Sequence, residues 1–180
     1  GLPALHCEVR VVDSEDKDVP TGQDGEIIVR GPSVSRGYWK TPAATAETFR
    51  GGWYHSNDIG HFDDEGYLYV VSRKTDMIIS GGENIYPAEL ENILLECSAI
   101  LEACVIGRRD ERWGEAVVAI VVLQPGARMS EADVLALFDE RIARFKRPRE
   151  IRFTDALPRT ALGKVMRAAV LESISAKVEA

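Results

Sequence analysis

Short β-branched stretches dominate the first seventy positions and alternate with polar residues at the strand period. Residues 5–12 (LHCEVRVV) and 26–30 (EIIVR) carry that pattern, with the polar segment DSEDKDVPTGQDG between them. Period-two patterning around such a loop predicts a hairpin or a pair of adjacent strands. Residues 42–49 predict a short helix, because Pro42 suits a first helical position and Thr41 suits the cap before it. Gly51 and Gly52 end it. Residues 53–62 and 67–71 predict two more strands, joined by the acidic turn DDEG at 63–66.

The pattern changes in SRKTDMIISGGENIYP, residues 72–87. A polar opening leads into Met77, Ile78 and Ile79, a run so short that it predicts a buried strand. Gly81 and Gly82 allow a tight turn or close approach of backbone to a ligand. Pro87, with Glu89 and Glu91 behind it, marks a helix start, since proline loses nothing there and acids suit the positive end. Residues 89–97 are helical in pattern, with Leu90, Ile93, Leu94 and Cys97 on one face. Residues 100–107 and 115–123 predict strands around the polar loop RRDERW, and Pro125-Gly126 turns the chain. Ser130 and Asp133 form a capping box before the amphipathic segment ADVLALFDERIARF. A short strand at 150–154, the loop LPRTALGK and a helix over 165–175 complete the chain. The mixture predicts an α+β architecture, with a β-rich part over 1–72, a joint at 73–76 and a small α+β domain over 77–180.

Composition narrows the function classes. The 180 residues are 45% apolar and 28% charged, enough for a core, with a formal net charge of −7. That sign argues against a general nucleic-acid or membrane-surface binder. The charge is uneven. Residues 1–71 hold six Lys/Arg against twelve Asp/Glu, a net −6, whereas residues 141–167 hold nine Lys/Arg against two Asp/Glu, a net +7. A basic stretch in an acidic chain points to a local polyanion. Cys7, Cys97 and Cys104 lack metal-ligand or CxxC spacing, and His6, His55 and His61 are scattered, so no metal site is expected. There is no leader pattern and no apolar run of membrane-spanning length, which makes a cytoplasmic protein without a transmembrane segment the expectation. The chain starts at Gly1 rather than Met, which suggests a piece of something longer.

Three polar residues interrupt apolar structure. Asp58, after WYHSN, can accept both hydrogens of a ribose diol, although an Asp in a turn more often bonds its own backbone. Arg73 offers a planar fork to phosphate, ribose or carboxylate, or forms a plain surface ion pair. Lys164 follows Gly163 in a flexible loop and can bring a point charge to an anionic reacting centre, or remain a solvated lysine. Singly, none decides the function.

Their order and spacing resemble the adenylate-forming superfamily: acyl- and aryl-CoA ligases, adenylation domains of peptide synthetases, and luciferases. GWYHSNDIGHFDDEGYLYVVSRKTDMIISGGENIYPAELE resembles the family's W-[FY]-x-T-G-D-…-G-R-x-[KD]-D-x-I-x-x-x-G-x-x-[IV]-x-P-x-E-[IL]-E pattern. LPRTALGKVMR is similar to its L-P-[KR]-T-x-x-G-K-[IV]-x-R signature. The resemblance covers essentially the whole chain. It implies the C-terminal portion of an ATP-dependent acid–CoA ligase that makes an acyl-adenylate and then the thioester, with ATP, CoA and Mg2+ as the cofactors and a small carboxylic acid as partner. The magnesium ligands, phosphate loop and acid pocket would lie upstream of Gly1, so that this fragment alone is inactive. Residues 1–72 would be the last subdomain of the large N-terminal domain, 73–76 the hinge, and 77–180 the mobile C-terminal domain.

Carried over by residue, the resemblance gives Asp58 the ribose hydroxyls and Arg73 the ribose–phosphate side of the nucleotide. Lys164 would bridge the attacking carboxylate and the α-phosphate. Thr75 and Asp76 fall at the hinge, where rotation would exchange Lys164 for Gly81 and Gly82 at one active site. Those glycines would line the pantetheine tunnel, and Trp113, Phe145, Arg147 and Arg149 match a surface that some ligases use for the CoA nucleotide. Two departures stand out. Ser56-Asn57-Asp58 replaces T-G-D, with Asn the next best residue for a left-handed backbone. Thr75 replaces a charged hinge residue. An adenylation domain that loads a carrier protein, a luciferase-like oxygenase and a non-catalytic binding module of the same fold stay as alternatives. A nucleic-acid module is the weakest of them. Fatty-acid metabolism and a homodimer fit the family as well, and the acid itself is not readable from these residues.

Overall fold

Alternation in EVRVV and the β-branched run in GEIIVR produce two antiparallel strands, β1 (Glu8–Val12) and β2 (Gly25–Arg30), with Val11 opposite Ile27. The computed structural model describes residues 1–175. It divides the chain into two units, Gly1–Thr75 and the part from Asp76 onward. In the first unit β3 (Tyr54–Phe62) and β4 (Leu68–Arg73) extend the sheet in the order β1-β2-β3-β4. Asp63 closes the β3–β4 turn by accepting the N–H groups of Glu65 (3.0 Å) and Tyr67 (2.8 Å). Val11, Val12, Ile27, Ile28 and Ile59 are buried, and because neighbours along a strand point to opposite faces, both faces of the sheet are covered there.

The short helix α1 (Pro42–Thr48) starts at the proline, but Thr41 does not cap it with its side chain. Thr45 provides the link instead, donating to the Thr41 carbonyl at 2.8 Å and accepting the Tyr38 N–H at 2.9 Å.

In the second unit, β5 (Ile78–Ser80) and β6 (Glu83–Ile85) form a hairpin about Gly81 and Gly82, whose φ angles are 63° and 86°. Two consecutive positive angles are the hairpin turn that matches strand twist, and glycine takes them without strain. Two expectations change here. The polar ENI segment is a strand because the turn pairs it with β5. Ile79 is half exposed rather than buried, since a strand shows alternate residues to opposite faces. The helix α2 (Pro87–Leu95) opens at Pro87 and buries Leu90, Ile93 and Leu94.

Two long strands, β7 (Ile100–Asp110) and β8 (Gly114–Leu123), pair antiparallel along their length, so Arg108, Arg109 and Asp110 belong to a strand rather than to the expected polar loop. β9 (Glu150–Phe153) lies parallel on the other side of β8. Val117, Ala119 and Val121 of β8 face a core with α2, Val134 and Phe138. Val118, Ile120 and Val122 face a second core with Val170 and Ile174 of the last helix, α4 (Arg167–Ser175).

The segment ADVLALFDERIARF does not form one helix. The capping box of Ser130 and Asp133 opens α3 (Glu131–Ala136), after which i→i+3 bonds tighten the chain and Glu140 takes φ 59°. A single 3-10 turn at Arg144–Lys146 follows. The early break buries Phe138 and brings the Arg149 N–H onto the Val117 carbonyl at 2.9 Å, leading into β9. Among the described residues no helix is long and apolar enough to cross a membrane.

One polar cluster sits inside the first unit. Glu26 is 5% exposed and accepts the Lys74 ammonium at 3.0 Å, with His55 Nδ1 at 3.5 Å and Arg50 at 3.6 Å. Burial pushes the Glu26 carboxyl up, but the Lys74 hydrogen bond and charge, helped by His55, outweigh it and hold the group below its ordinary 4.5. A depressed folded value means stabilisation that is complete above 4.5 and fades as pH falls through the lower folded value. Glu26→Ala should therefore cost about 1–3 kcal/mol at neutral pH, because Lys74 loses its buried acceptor. Urea unfolding of parent and variant should show the gap narrowing in acid; a gap independent of pH would refute the assignment.

Candidate functional site

Asp58 owes its position to an irregularity in β3. Between the pairs Ile28–His55 and Glu26–Ile59, β2 contributes one residue (Ile27) and β3 contributes three (Ser56, Asn57, Asp58). Such a bulge re-aims side chains at a sheet surface. Asn57 takes φ 61°, the left-handed backbone that asparagine tolerates among non-glycine residues. Ser56 pins the bulge by donating to the Ile27 carbonyl at 2.7 Å and accepting the Asp58 N–H at 3.0 Å.

On the far side of β3, Asp58 pairs in register with Arg73, and the carboxylate lies 3.4 Å from the guanidinium Nε. Arg73 is 66% exposed and Asp58 33%, so the pair adds little stability and presents a fork and a carboxylate outward. Beside it stand Tyr38, Phe49 and Tyr54, with ring centroids 5.7 Å and 5.3 Å apart in sequence. Burial raises the Tyr54 phenol above its ordinary value, as do its hydrogen bond to Tyr38 and the Asp58 charge. The two tyrosines were not singled out in the sequence; their place in the aromatic-rich GYWK and WYHSN segments was the available signal.

A second group forms in the other unit. The Gly81 N–H donates to the Trp113 carbonyl at 2.8 Å, and a Cβ on Gly81 would lie 3.1 Å from the indole ring. The Arg149 guanidinium stacks over that ring at 3.9 Å, and Arg112 lies at 4.9 Å. Arg147 and Arg149 share an open groove with Arg144, Asp139 and Pro148. Arg147 ion-pairs with Asp139, and its buried Nε has no hydrogen-bond partner among the described residues. Gly81, Trp113, Arg147 and Arg149 are thus brought together. Phe145 is 44% exposed and does not line the groove, and Gly82 faces open space.

Lys164 belongs to neither group. It is exposed at the end of a small, well-bonded loop: Thr160 N–H to the Lys164 carbonyl at 2.8 Å, Gly163 N–H to Thr160 at 2.9 Å, with Gly163 at φ 83°. Among the described residues its ammonium has no ion pair or hydrogen bond, which leaves a cation on an ordered support. Thr75 is exposed and Asp76 half-buried, within the 3-10 turn Lys74–Asp76. Arg167 ends the quoted signature yet carried no sequence-based role; it is the most connected of the late basic residues. A separate cavity of about 540 Å³ between β9 and α4, lined by Ile120, Leu157 and Ile174 among others, contains none of the expected site residues. The described residues include no group of three or more His, Cys, Asp or Glu able to hold a metal ion.

The chain is similar to proteins of known activity. The "AMP-binding enzyme C-terminal domain" family matches residues 89–164, and the "AMP-binding enzyme" family matches residues 1–39. The indoleacetate–CoA ligase of Aromatoleum aromaticum is 51% identical over 177 residues, covering 98% of this chain and 35% of that protein. The feruloyl-CoA synthase of an Amycolatopsis species is 46% identical over 170 residues, 94% of this chain and 35% of that protein. Among solved structures, o-succinylbenzoate CoA synthetase from Bacillus subtilis, in complex with its acyl-adenylate intermediate, superimposes with a TM-score of 0.87 at 38% identity, over 93% of this chain and 34% of that one. The chain therefore spans about a third of the length of the relatives it matches.

The bulge makes a stability prediction. Asn57→Gly should leave the unfolding midpoint unchanged or slightly higher, whereas Asn57→Val should lose about 1–2 kcal/mol, the cost of a left-handed backbone for an ordinary side chain. Equal denaturant midpoints for the Gly and Val variants would contradict the strained-bulge account of Asp58.

Proposed function

We propose that this chain, which belongs to the AMP-binding enzymes, is the C-terminal part of an ATP-dependent acid–CoA ligase. The observation that carries the reading is the exposed Lys164, unpartnered among the described residues, on a well-bonded loop in a chain that also sets Asp58 beside Arg73 on a bulged strand. Each of these groups stays available to a ligand at some cost in local pairing.

In the proposed reaction a carboxylate oxygen attacks the α-phosphate of ATP and pyrophosphate leaves; the CoA thiol then attacks the acyl carbonyl and AMP leaves. Asp58 accepts from the ribose hydroxyls and Arg73 donates to the ribose–phosphate side. Lys164 neutralises charge between the attacking carboxylate and the α-phosphate, where fixed charges give most of the rate. Thr75 and Asp76 form the hinge between a part over 1–72 and a mobile domain over 77–180. Gly81 and Gly82 border the pantetheine path, while Trp113, Arg147 and Arg149, with Phe145 at the margin, receive the CoA nucleotide. The guanidinium stacked on Trp113 supports that role, because phosphate and base can both be held there. Mg2+ enters with ATP, and its protein ligands are assigned to the rest of the enzyme. The names of the relatives favour an aromatic acid over a fatty acid, and we place the enzyme in the cytoplasm.

In the full-length enzyme, Lys164→Ala should lower adenylation by on the order of 10²–10³. It should largely spare thioester formation from supplied adenylate. Equal loss in both half-reactions would sink the assigned role. Arg149→Ala should raise the KM for CoA by about tenfold, the worth of one charge-assisted contact, and leave pyrophosphate exchange unchanged. An unaltered CoA dependence would move the CoA site elsewhere.

A further inference from the structure

We infer that Arg167 is a positioning residue for Lys164, fixing the aim of its loop by tying the loop's root to Asp76, the first residue of the second unit, and to Glu91 of α2. The inference rests on the assignment of Lys164 to adenylation.

The loop is internally stiff. Besides the bonds between Thr160, Gly163 and Lys164, Arg159 and Val165 form a β-bridge, Arg159 donates to the Gly163 carbonyl at 2.6 Å, and the Met166 N–H reaches the Pro158 carbonyl at 2.8 Å. A stiff loop turns as one piece, so the direction of Lys164 is set where the loop meets the rest of the domain. One arm is held by Arg159 on Glu102 of β7 at 2.8 Å. The other ends at Arg167, three positions beyond Lys164 and the first residue of α4.

Arg167 is 29% exposed and spreads its guanidinium over three elements. It donates to the Val105 carbonyl of β7 at 2.6 Å and to Glu91 Oε2 at 2.9 Å, and it ion-pairs with Glu91 Oε1 at 2.8 Å and, through Nε, with Asp76 Oδ2 at 3.2 Å. Glu91 is itself fixed, since its Oε1 accepts the Val105 N–H at 2.7 Å. The contacts to Val105 and Glu91 lock α4 onto the sheet. The contact to Asp76 has a different reach: it binds the root of the Lys164 loop to the residue where the second unit begins. Only a planar fork can meet all three acceptors at once; a lysine can carry the charge but not the geometry.

The test uses the full-length enzyme and both half-reactions. Arg167→Lys should lower the kcat of adenylation by on the order of 10²-fold, the usual cost of ångström-scale misplacement, with little change in the KM for acid or ATP. Thioester formation from supplied adenylate should stay within a few-fold. Asp76→Asn, nearly isosteric and so safe for folding, should show a smaller loss in the same half-reaction. In a Lys164→Ala background, Arg167→Lys should cost nothing further, because a residue that acts through another has no effect once that one is gone. Proportional loss of both half-reactions, or an additive loss on top of Lys164→Ala, would overturn the proposal and leave Arg167 a structural anchor. If instead Lys164→Ala spares adenylation, the functional assignment fails first, and that result is read independently of any Arg167 variant.

Discussion

A strand without a polar face has to be covered twice, and most of the second unit follows from that. In GEAVVAIVVL the residues from Ala116 to Val122 are all buried. An ordinary antiparallel strand would show half of them to water. Val117, Ala119 and Val121 require one apolar layer, which α2 and the α3 segment supply; Val118, Ile120 and Val122 require another, which α4 supplies. Each apolar side chain so covered contributes roughly 1.5–3 kcal/mol. The final helix is thus no appendage. It must dock on β8, and docking it fixes where the chain enters, at Arg167, just after Lys164.

The first unit spends its polar irregularities differently. At β3 of its sheet the ladder is broken to bring Asp58 beside Arg73. The break is local because Ser56 bonds both sides of it. Beneath the last turn of the unit, Glu26 draws Lys74 onto the sheet, so the residue next to Thr75 is held while Thr75 itself is exposed.

Strand periodicity made the sheets legible, and the α+β class with them, because β-branched alternation is a local property. The capping box at Ser130 and the glycine turn at Gly81 were equally local. What escaped was set by tertiary pairing. The ENI strand carries a single apolar residue and exists because a tight turn lays it on β5. Arg108 to Asp110 extend β7 because Gly114, Glu115 and Ala116 lie opposite them. The long amphipathic segment after Ser130 kept helical spacing to Phe145, yet burial of Phe138 and the need to deliver Arg149 to β8 won over propensity. Among the candidate residues, Asp58, Arg73 and Lys164 were visible as motif positions, while Arg167 gains its meaning from Asp76 and Glu91, which lie far from it in the sequence.

The basic stretch shows how far a sequence count can mislead and what it still contains. Within residues 141–167 nine cations face two acids, which suggests an open positive surface. The fold supplies acids from outside that window. Glu96 takes Arg141, Glu89 takes Lys146, Asp139 takes Arg147, Glu102 takes Arg159, and Asp76 with Glu91 takes Arg167; Arg152 uses Glu150. Among the described residues that leaves Arg144, Arg149 and Lys164 without an acidic partner. Arg144 and Arg149 line the same groove, and Arg149 is stacked on Trp113. The net excess that pointed to a polyanion is therefore not spread over the domain. It is concentrated in two unpaired arginines of one groove and one lysine on a stiff loop, with the other six cations spent on holding the elements that present them.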